Sequence, residues 1–335
     1  MAKLNVGFIG CGGIAGAHMD ALSRIPSAKV VAFCDVDLER AQKRADQFGG
    51  GKVFQTPSEM LEAVKLDAVW ICLPPFAHGA AEMACVEAGV PFMVEKPINR
   101  SLQQARRIAD AIAQKGLLTA AAYMNRYRKG VNHAKALFEE DPPVLAMGGW
   151  IGGTPRPDPA HPITLWWIQK DKSGGQFIEQ VTHTADLLRY LCGEAMQVSA
   201  FAATGFNKDI PGYNIEDAVA ATVKMSNGGV ALLYSCCASN ARGGVALSVY
   251  GVRHAAEFTG WGHDATIYAV GTKAPKQYPG ENNIFEIEDR AFLAAVQKQD
   301  PALIKSDYFD ALKTLQLTLA VDRAISTARM VKIGM

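Results

Sequence analysis

From Gly7 to Ala15 the chain reads Gly-Phe-Ile-Gly-Cys-Gly-Gly-Ile-Ala, and an acid, Asp35, closes the next β-branched run. These residue types at this spacing suit the binding of a dinucleotide. Gly10 permits a tight turn, Gly12 lets backbone approach a pyrophosphate, and Ala15 allows a helix to pack closely on a strand. Gly13 and Ile14 open that helix, whose unpaired N–H groups and positive end attract phosphate. Asp35 is placed to accept hydrogen bonds from the adenosine ribose. A carboxylate there also repels a 2′-phosphate, so NAD is expected over NADP, with Arg40 softening the preference. The bland alternative is a ligand-free strand-to-helix turn in which Asp35 only caps the next helix.

Such a loop works only if strands and helices alternate around it. Up to about residue 123 they do: strands are expected at Asn5 to Ile9, Lys29 to Cys34, Asp67 to Leu73, Pro91 to Val94 and Leu117 to Ala122. Helices are expected near Gly13 to Arg24, Leu38 to Phe48, Pro57 to Ala63, Ala77 to Ala88 and Leu102 to Lys115. Repeated βα units of this kind form a doubly wound parallel sheet, the Rossmann arrangement. Beyond Asn125 the pattern changes. A helix from about Lys129 to Glu139 is followed by a Gly- and Pro-rich loop from Gly148 to Pro162, then a helix from roughly Phe177 to Leu191. Strands follow at Gln197 to Thr204, Asp217 to Met225, Gly229 to Cys237 and Val245 to Tyr250, and helices near Asp289 to Gln299 and Tyr308 to Thr327 close the chain. The expected class is α/β: a dinucleotide-binding Rossmann domain over 1–123 and an α+β domain over 124–335 with a largely antiparallel open sheet.

At 335 residues two domains are the default. With 34 basic against 33 acidic residues there is no electrostatic footprint for nucleic acid. No uncharged apolar stretch approaches the ~20 residues of a membrane span, and the amino terminus enters a strand without a leader pattern. The seven cysteines show no C-x-x-C spacing, and most lie in apolar runs, which reads as reduced, buried thiols in a cytoplasmic protein. No metal-ligand spacing appears among the histidines.

Four local matches, in order, resemble one family. They are Gly10-Cys11-Gly12-Gly13-Ile14-Ala15; Leu73-Pro74-Pro75-Phe76-Ala77-His78; Glu95-Lys96-Pro97; and Gly174-Gly175 leading to His183 and Asp186. The chain is similar along nearly its whole length to the glucose-fructose oxidoreductase, inositol dehydrogenase and rhizopine catabolism (Gfo/Idh/MocA) oxidoreductases. The resemblance implies catalysis in a cleft between two domains, Lys96 as the catalytic lysine, His183 as acid/base, and a second-domain sheet that often forms a subunit interface. Two departures are Glu179-Gln180-Val181-Thr182-His183, where the family commonly begins with Asp and has a Gly before the His, and Leu73-Pro74-Pro75, where it often has Thr-Pro-Asn.

Hydride chemistry explains why such residues suit the purpose. Oxidising a secondary alcohol releases a hydroxyl proton, and histidine is the natural base near neutral pH. Glu179 lies four residues before His183 on an expected helix, so both fall on one face, where Glu179 orients the imidazole or accepts a substrate hydroxyl. The Lys96 ammonium, leaving the carboxyl end of a parallel strand, can donate to the reacting oxygen. Pro74, His78 and Glu95 join the cofactor side, His78 either lining the nicotinamide pocket or holding a helix turn. Asn125 and Arg126 either bind substrate hydroxyls or tie the domains together, and Trp166 offers an indole face to a sugar ring or packs in a core. Asp186 reads as a structural partner. The expected function is NAD-dependent dehydrogenation of a sugar, cyclitol or polyol by a homo-oligomer, dimer or tetramer. The alternatives are an NAD-retaining lyase or glycosidase and a non-catalytic NAD- or sugar-binding regulatory protein.

Overall fold

The computed structural model describes residues 3–334. Its contacts divide the chain into two compact units, one of residues 1–124 with 283–312 and one of 125–282 with 313–335.

The first unit alternates β1 (Leu4–Ile9), α1 (Gly13–Ser23), β2 (Ala28–Cys34), α2 (Leu38–Gln47), β3 (Lys52–Phe54), α3 (Pro57–Ala63), β4 (Ala68–Ile71), α4 (Ala80–Ala88), β5 (Phe92–Val94), α5 (Leu102–Lys115) and β6 (Thr119–Ala121). All six strands pair in parallel in the order β3-β2-β1-β4-β5-β6. The order reverses between β1 and β4, and ligands of such sheets bind beyond the carboxyl ends of the strands at that switch point. The glycine loop follows β1, Leu73 to His78 follows β4, and Glu95-Lys96 follows β5, so all three candidate segments leave the same edge of three adjacent strands.

The second unit contains α6 (Lys129–Glu140), β7 (Leu145–Ile151), the short helices α7 (Ile163–Trp167), α8 (Lys170–Ser173) and α9 (Gln176–Glu179), α10 (Thr182–Cys192), and strands β8 (Ala195–Ala203), β9 (Ala218–Met225), β10 (Val230–Cys236), β11 (Gly244–Tyr250), β12 (His254–Thr259), β13 (Asp264–Ala269) and β14 (Lys276–Tyr278). Next in the chain, α11 (Ile284–Lys298) belongs to the first unit; the division falls inside α12 (Tyr308–Thr327), and β15 (Val331–Lys332) completes the second sheet. That sheet has nine strands in the order β14-β13-β12-β11-β7-β10-β9-β8-β15, all antiparallel except the β7–β10 pair. One face, with Val198, Val219, Leu233 and Leu247, packs on Ala134, Phe138, Leu187 and Leu188 of α6 and α10.

Two differences from the sequence reading have clear physical causes. Residues 283–312 rejoin the first unit because Phe292, Leu293 and Val296 of α11 complete a core with Met19 and Leu22 of α1 and Trp70 of β4. The loop expected from Gly148 begins inside a central strand, β7. Its glycines mark close backbone approach, since a Cβ on Gly149 would strike the Tyr234 carbonyl of β10.

Candidate active site

The glycine loop is built for an anion. Gly10 adopts φ +89°, and a Cβ there would strike the Cys72 carbonyl, so only glycine fits. Gly12 caps α1 without a side-chain hydrogen bond, the first turn holds no acid, and a Cβ built on Gly12 or Gly13 meets nothing within 4 Å. Open space therefore lies before an uncapped helix N-terminus, which fits the pyrophosphate of a dinucleotide. Ala15, fully buried, allows the close packing expected of it.

Asp35 sits where the fingerprint places its ribose acid. Its Oδ2 accepts the Cys11 N–H at 2.8 Å, and Oδ1 accepts the Asp37 N–H at 2.9 Å. The cap of α2 is Asp37, whose side chain accepts the Arg40 N–H, so the capping alternative for Asp35 does not hold. Arg40 donates to Asp35 Oδ1 at 3.1 Å from a side chain that is 45% exposed. A second arginine escaped the sequence reading. Arg44 of α2 donates to the Gly12 carbonyl at 3.0 Å and the Cys11 carbonyl at 3.3 Å. It lies against Gly16, where a Cβ would come within 2.7 Å of the guanidinium. Gly16, just past the fingerprint, was the available signal. The Asp35→Ser protein is expected to lose most of its discrimination against NADP, because Arg40 remains to meet a 2′-phosphate. Parallel NAD and NADP titrations check this; an unmodified protein binding both equally contradicts the role given to Asp35.

The remaining cofactor-side residues divide. Lys96 is half-buried just past β5, in a cis Lys96–Pro97 peptide. Glu95 turns its carboxylate inward: Oε2 accepts the Lys96 N–H at 2.9 Å, and Oε1 lies 3.2 Å from His18 Nε2. His78 has no side-chain exposure. Its Nδ1 lies 2.6 Å from Glu82 Oε1, while Glu82 Oε2 accepts the Gly79 N–H at 2.5 Å, so the pair anchors the start of α4. Pro74 is half-buried ahead of a 3₁₀ turn at Pro75–Ala77.

In the second unit, Gly174 and Gly175 adopt φ +81° and +94°, which turns the chain sharply into α9. The helix expected over Phe177 to Leu191 is interrupted after Glu179, where the Val181 N–H reaches back five residues to the Gln176 carbonyl at 3.3 Å. Such wide turns recur at functional sites. Glu179 precedes this break and His183 stands in the first turn of α10, half-buried. Glu179, nearly inaccessible, accepts the Trp167 indole N–H at 3.0 Å, and Trp150 stacks edge-on against Trp167 at 6.0 Å. Trp167 thus holds this acid; Trp166, expected to offer a ring face or to pack in a core, is half-buried beside it on α7.

Arg126 is bound by Asp186 through two bonds of 2.8 and 2.7 Å, both side chains almost wholly buried, with Tyr190 under the guanidinium. Thr314 Oγ1 donates to the same carboxylate at 3.1 Å. This geometry makes Arg126 a structural tie within the second unit, and Asp186 the structural partner the sequence suggested. Asn125 accepts the Arg128 Nε–H at 2.7 Å, and its buried Nδ2 has no hydrogen-bond partner among the described residues. Among those residues no group of His, Cys, Asp and Glu is arranged to hold a metal, and no helix is long and apolar enough to cross a membrane.

Comparison with known proteins follows the same division. Residues 4–123 match the oxidoreductase family with an NAD-binding Rossmann fold, and residues 151–257 match the GFO/IDH/MocA C-terminal domain. The chain belongs to the Gfo/Idh/MocA oxidoreductase family. Its first unit is an NAD-binding Rossmann domain. D-glucoside 3-dehydrogenase of Escherichia coli is 28% identical over 257 residues, 72% of either chain. Myo-inositol 2-dehydrogenase of Thermotoga maritima is 26% identical over 198 residues, 58% of this chain and 56% of the relative, so that match spans just over half of the relative's length. Among solved structures, a levoglucosan dehydrogenase in complex with NADH aligns with TM-score 0.88 over 99% of this chain and all of its own, at 19% identity.

Proposed function

We propose that this Gfo/Idh/MocA protein is an NAD-dependent dehydrogenase that oxidises a secondary hydroxyl of a sugar, cyclitol or related polyol to a ketone. The reading is carried by one observation: the open glycine loop, Asp35 and the Glu95-Lys96 segment leave one edge of the parallel sheet at its switch point. The activities for which the relatives are named, on a glucoside and an inositol, favour the substrate class.

When bound, the nicotinamide supplies the hydride acceptor. His183 takes the hydroxyl proton as the carbon gives up its hydride, and in the reverse direction returns it to the oxygen. Lys96 donates a hydrogen bond to that oxygen and stabilises its alkoxide character. Gly12, Gly13 and Ile14 hold phosphate, and Asp35 holds the ribose. Glu179, fixed by Trp167, accepts a hydrogen bond from a substrate hydroxyl, while Trp166 offers an apolar ring face and Asn125 Nδ2, which has no hydrogen-bond partner among the described residues, a donor. A panel of myo-inositol, scyllo-inositol, levoglucosan and a glucoside, followed by NADH absorbance with NAD in excess, tests the reading. At least one is expected to be oxidised; no turnover of any, with NAD bound normally, favours a non-catalytic binding protein instead.

We further propose that the protein is a homo-oligomer assembled through the second sheet. Its outer face aligns Phe201, Ala220, Tyr234 and Gly149 along one register row and Leu145, Val230 and Tyr250 along another. Phe201 is 81%, Val230 49% and Leu145 37% exposed, and apolar side chains grouped on one sheet face are the mark of an interaction surface. A dimeric or tetrameric mass in solution is expected; a monomer at micromolar concentration contradicts it.

A further inference from the structure

His18 lies on α1, the helix that begins at the glycine loop, and has no exposure at all. Its Nδ1 is 2.8 Å from Asp289 Oδ1 on α11, and its Nε2 is 3.2 Å from Glu95 Oε1 at the end of β5. Asp289, equally buried, accepts the Trp70 indole N–H on the same Oδ1 at 3.0 Å. Phe285 packs edge-on against the imidazole at 5.1 Å. Glu95 then passes the connection on, since its other oxygen accepts the Lys96 N–H.

A neutral imidazole has one N–H and one lone pair. With a carboxylate oxygen at each ring nitrogen, that form sets a lone pair against a lone pair; the imidazolium donates to both. Burial alone favours the neutral ring, but the two carboxylates outweigh it and hold His18 protonated well above the usual histidine range. The titratable groups facing the cluster are Glu95; Asp289, whose carboxyl burial and Glu95 push upward while the His18 charge and the hydrogen bonds from His18 and Trp70 pull it down; and the Cys72 thiol, which burial and both carboxylates keep protonated.

We propose that His18 is a positioning residue: as an imidazolium it clamps Glu95 to Asp289 and so fixes the backbone that carries Lys96. The clamp makes the cofactor helix, the lysine-bearing segment and α11 one mechanical piece within the first unit. Glu95 is, on this account, a relay whose carboxylate is spent on His18 and the Lys96 N–H. The proposal rests on the reading of Lys96 as a residue that acts on substrate.

The test has two arms, both on the full chain. In the first, protein labelled with ¹⁵N-histidine is titrated with NADH present, and the His18 signals are assigned by their loss in His18→Gln. Both ring nitrogens are expected to stay protonated well above the ordinary pKa of about 6.5; a single-tautomer neutral ring overturns the proposal. In the second, turnover of myo-inositol, or of levoglucosan if that is the substrate oxidised, is compared in His18→Gln, Lys96→Met and the double variant. His18→Gln is expected to lower kcat on the order of 10- to 100-fold with KM near its original value, as for a small misplacement of a reacting group. In the Lys96→Met background that loss is expected to vanish. An undiminished loss there shows a role not exerted through Lys96 and overturns the proposal. Normal kcat in His18→Gln with an inactive Lys96→Met overturns the positioning role and leaves the reading of Lys96 standing; normal kcat in Lys96→Met overturns that reading and the positioning role with it. Glu95→Gln, which breaks the same connection, is expected to reproduce the kcat loss and serves if His18→Gln does not fold.

Discussion

Replacing His183 by Ala is expected to lower turnover on the order of 10² to 10⁴-fold, the usual contribution of a general base, while NAD affinity stays near its original value. The reason for the separation lies in the chain. His183 belongs to α10 of the second unit, whereas the glycine loop, Asp35 and Arg40 are wholly in the first. The competing account makes His183 a packing residue of a helix whose neighbours Thr182 and Thr184 are buried. That account predicts a lower melting temperature and an intact kcat for the folded fraction. Stopped-flow turnover with a parallel thermal melt distinguishes the two. A correctly folded His183→Ala protein that turns over at the original rate removes His183 from the mechanism.

Lys96→Met is expected to cost on the order of 10² to 10³ in kcat, the range for losing one donor to a developing oxyanion. Methionine keeps much of the side chain's length and apolar stem, and the Glu95 contact to the Lys96 N–H is a backbone contact that it leaves in place. Folding is therefore expected to survive. NAD affinity should fall more than in His183→Ala, because Lys96 leaves the same sheet edge as the glycine loop. Equal kcat in Lys96→Met and unmodified protein contradicts the assignment.

Much of the first unit is legible because each βα unit carries its own periodicity and punctuation. Pro57 and Thr56 announce α3, Gly89 and Gly116 close α4 and α5, and the glycine fingerprint fixes β1 and α1. β3 went unread, since only Lys52–Phe54 emerge after three glycines and their partner β2 is what makes them a strand. In the second unit, β12 and β13 were missed for a similar reason: polar residues such as His254, Glu257 and Asp264 sit among alanines, and the pairing supplies the order.

Site residues divide along the same line. The glycine loop and Asp35 are local and readable. What Arg126, Glu95 and His78 do is decided by partners elsewhere in the chain or hidden by burial: Asp186 lies 60 residues from Arg126 and His18 lies 77 from Glu95. Sequence spacing put Glu179 and His183 on one helix face; the five-residue turn at Val181, which no residue type announces, alters that geometry. Trp166 and Trp167 are indistinguishable in sequence, and only the direction of the indole N–H shows which one holds Glu179.

Every role proposed for Lys96 and His183 depends on hydride leaving a substrate carbon for NAD, and isotope tracing follows that hydride itself. The polyol found active in the panel is prepared with deuterium on the carbon bearing the reacting hydroxyl, and the nicotinamide product is analysed by mass spectrometry after complete turnover. One deuterium is expected in the reduced nicotinamide for each ketone formed, with net accumulation of reduced cofactor. Consumption of the polyol with no net reduced cofactor, or reduced cofactor free of deuterium, contradicts it and points to chemistry that returns the hydride or never removes it.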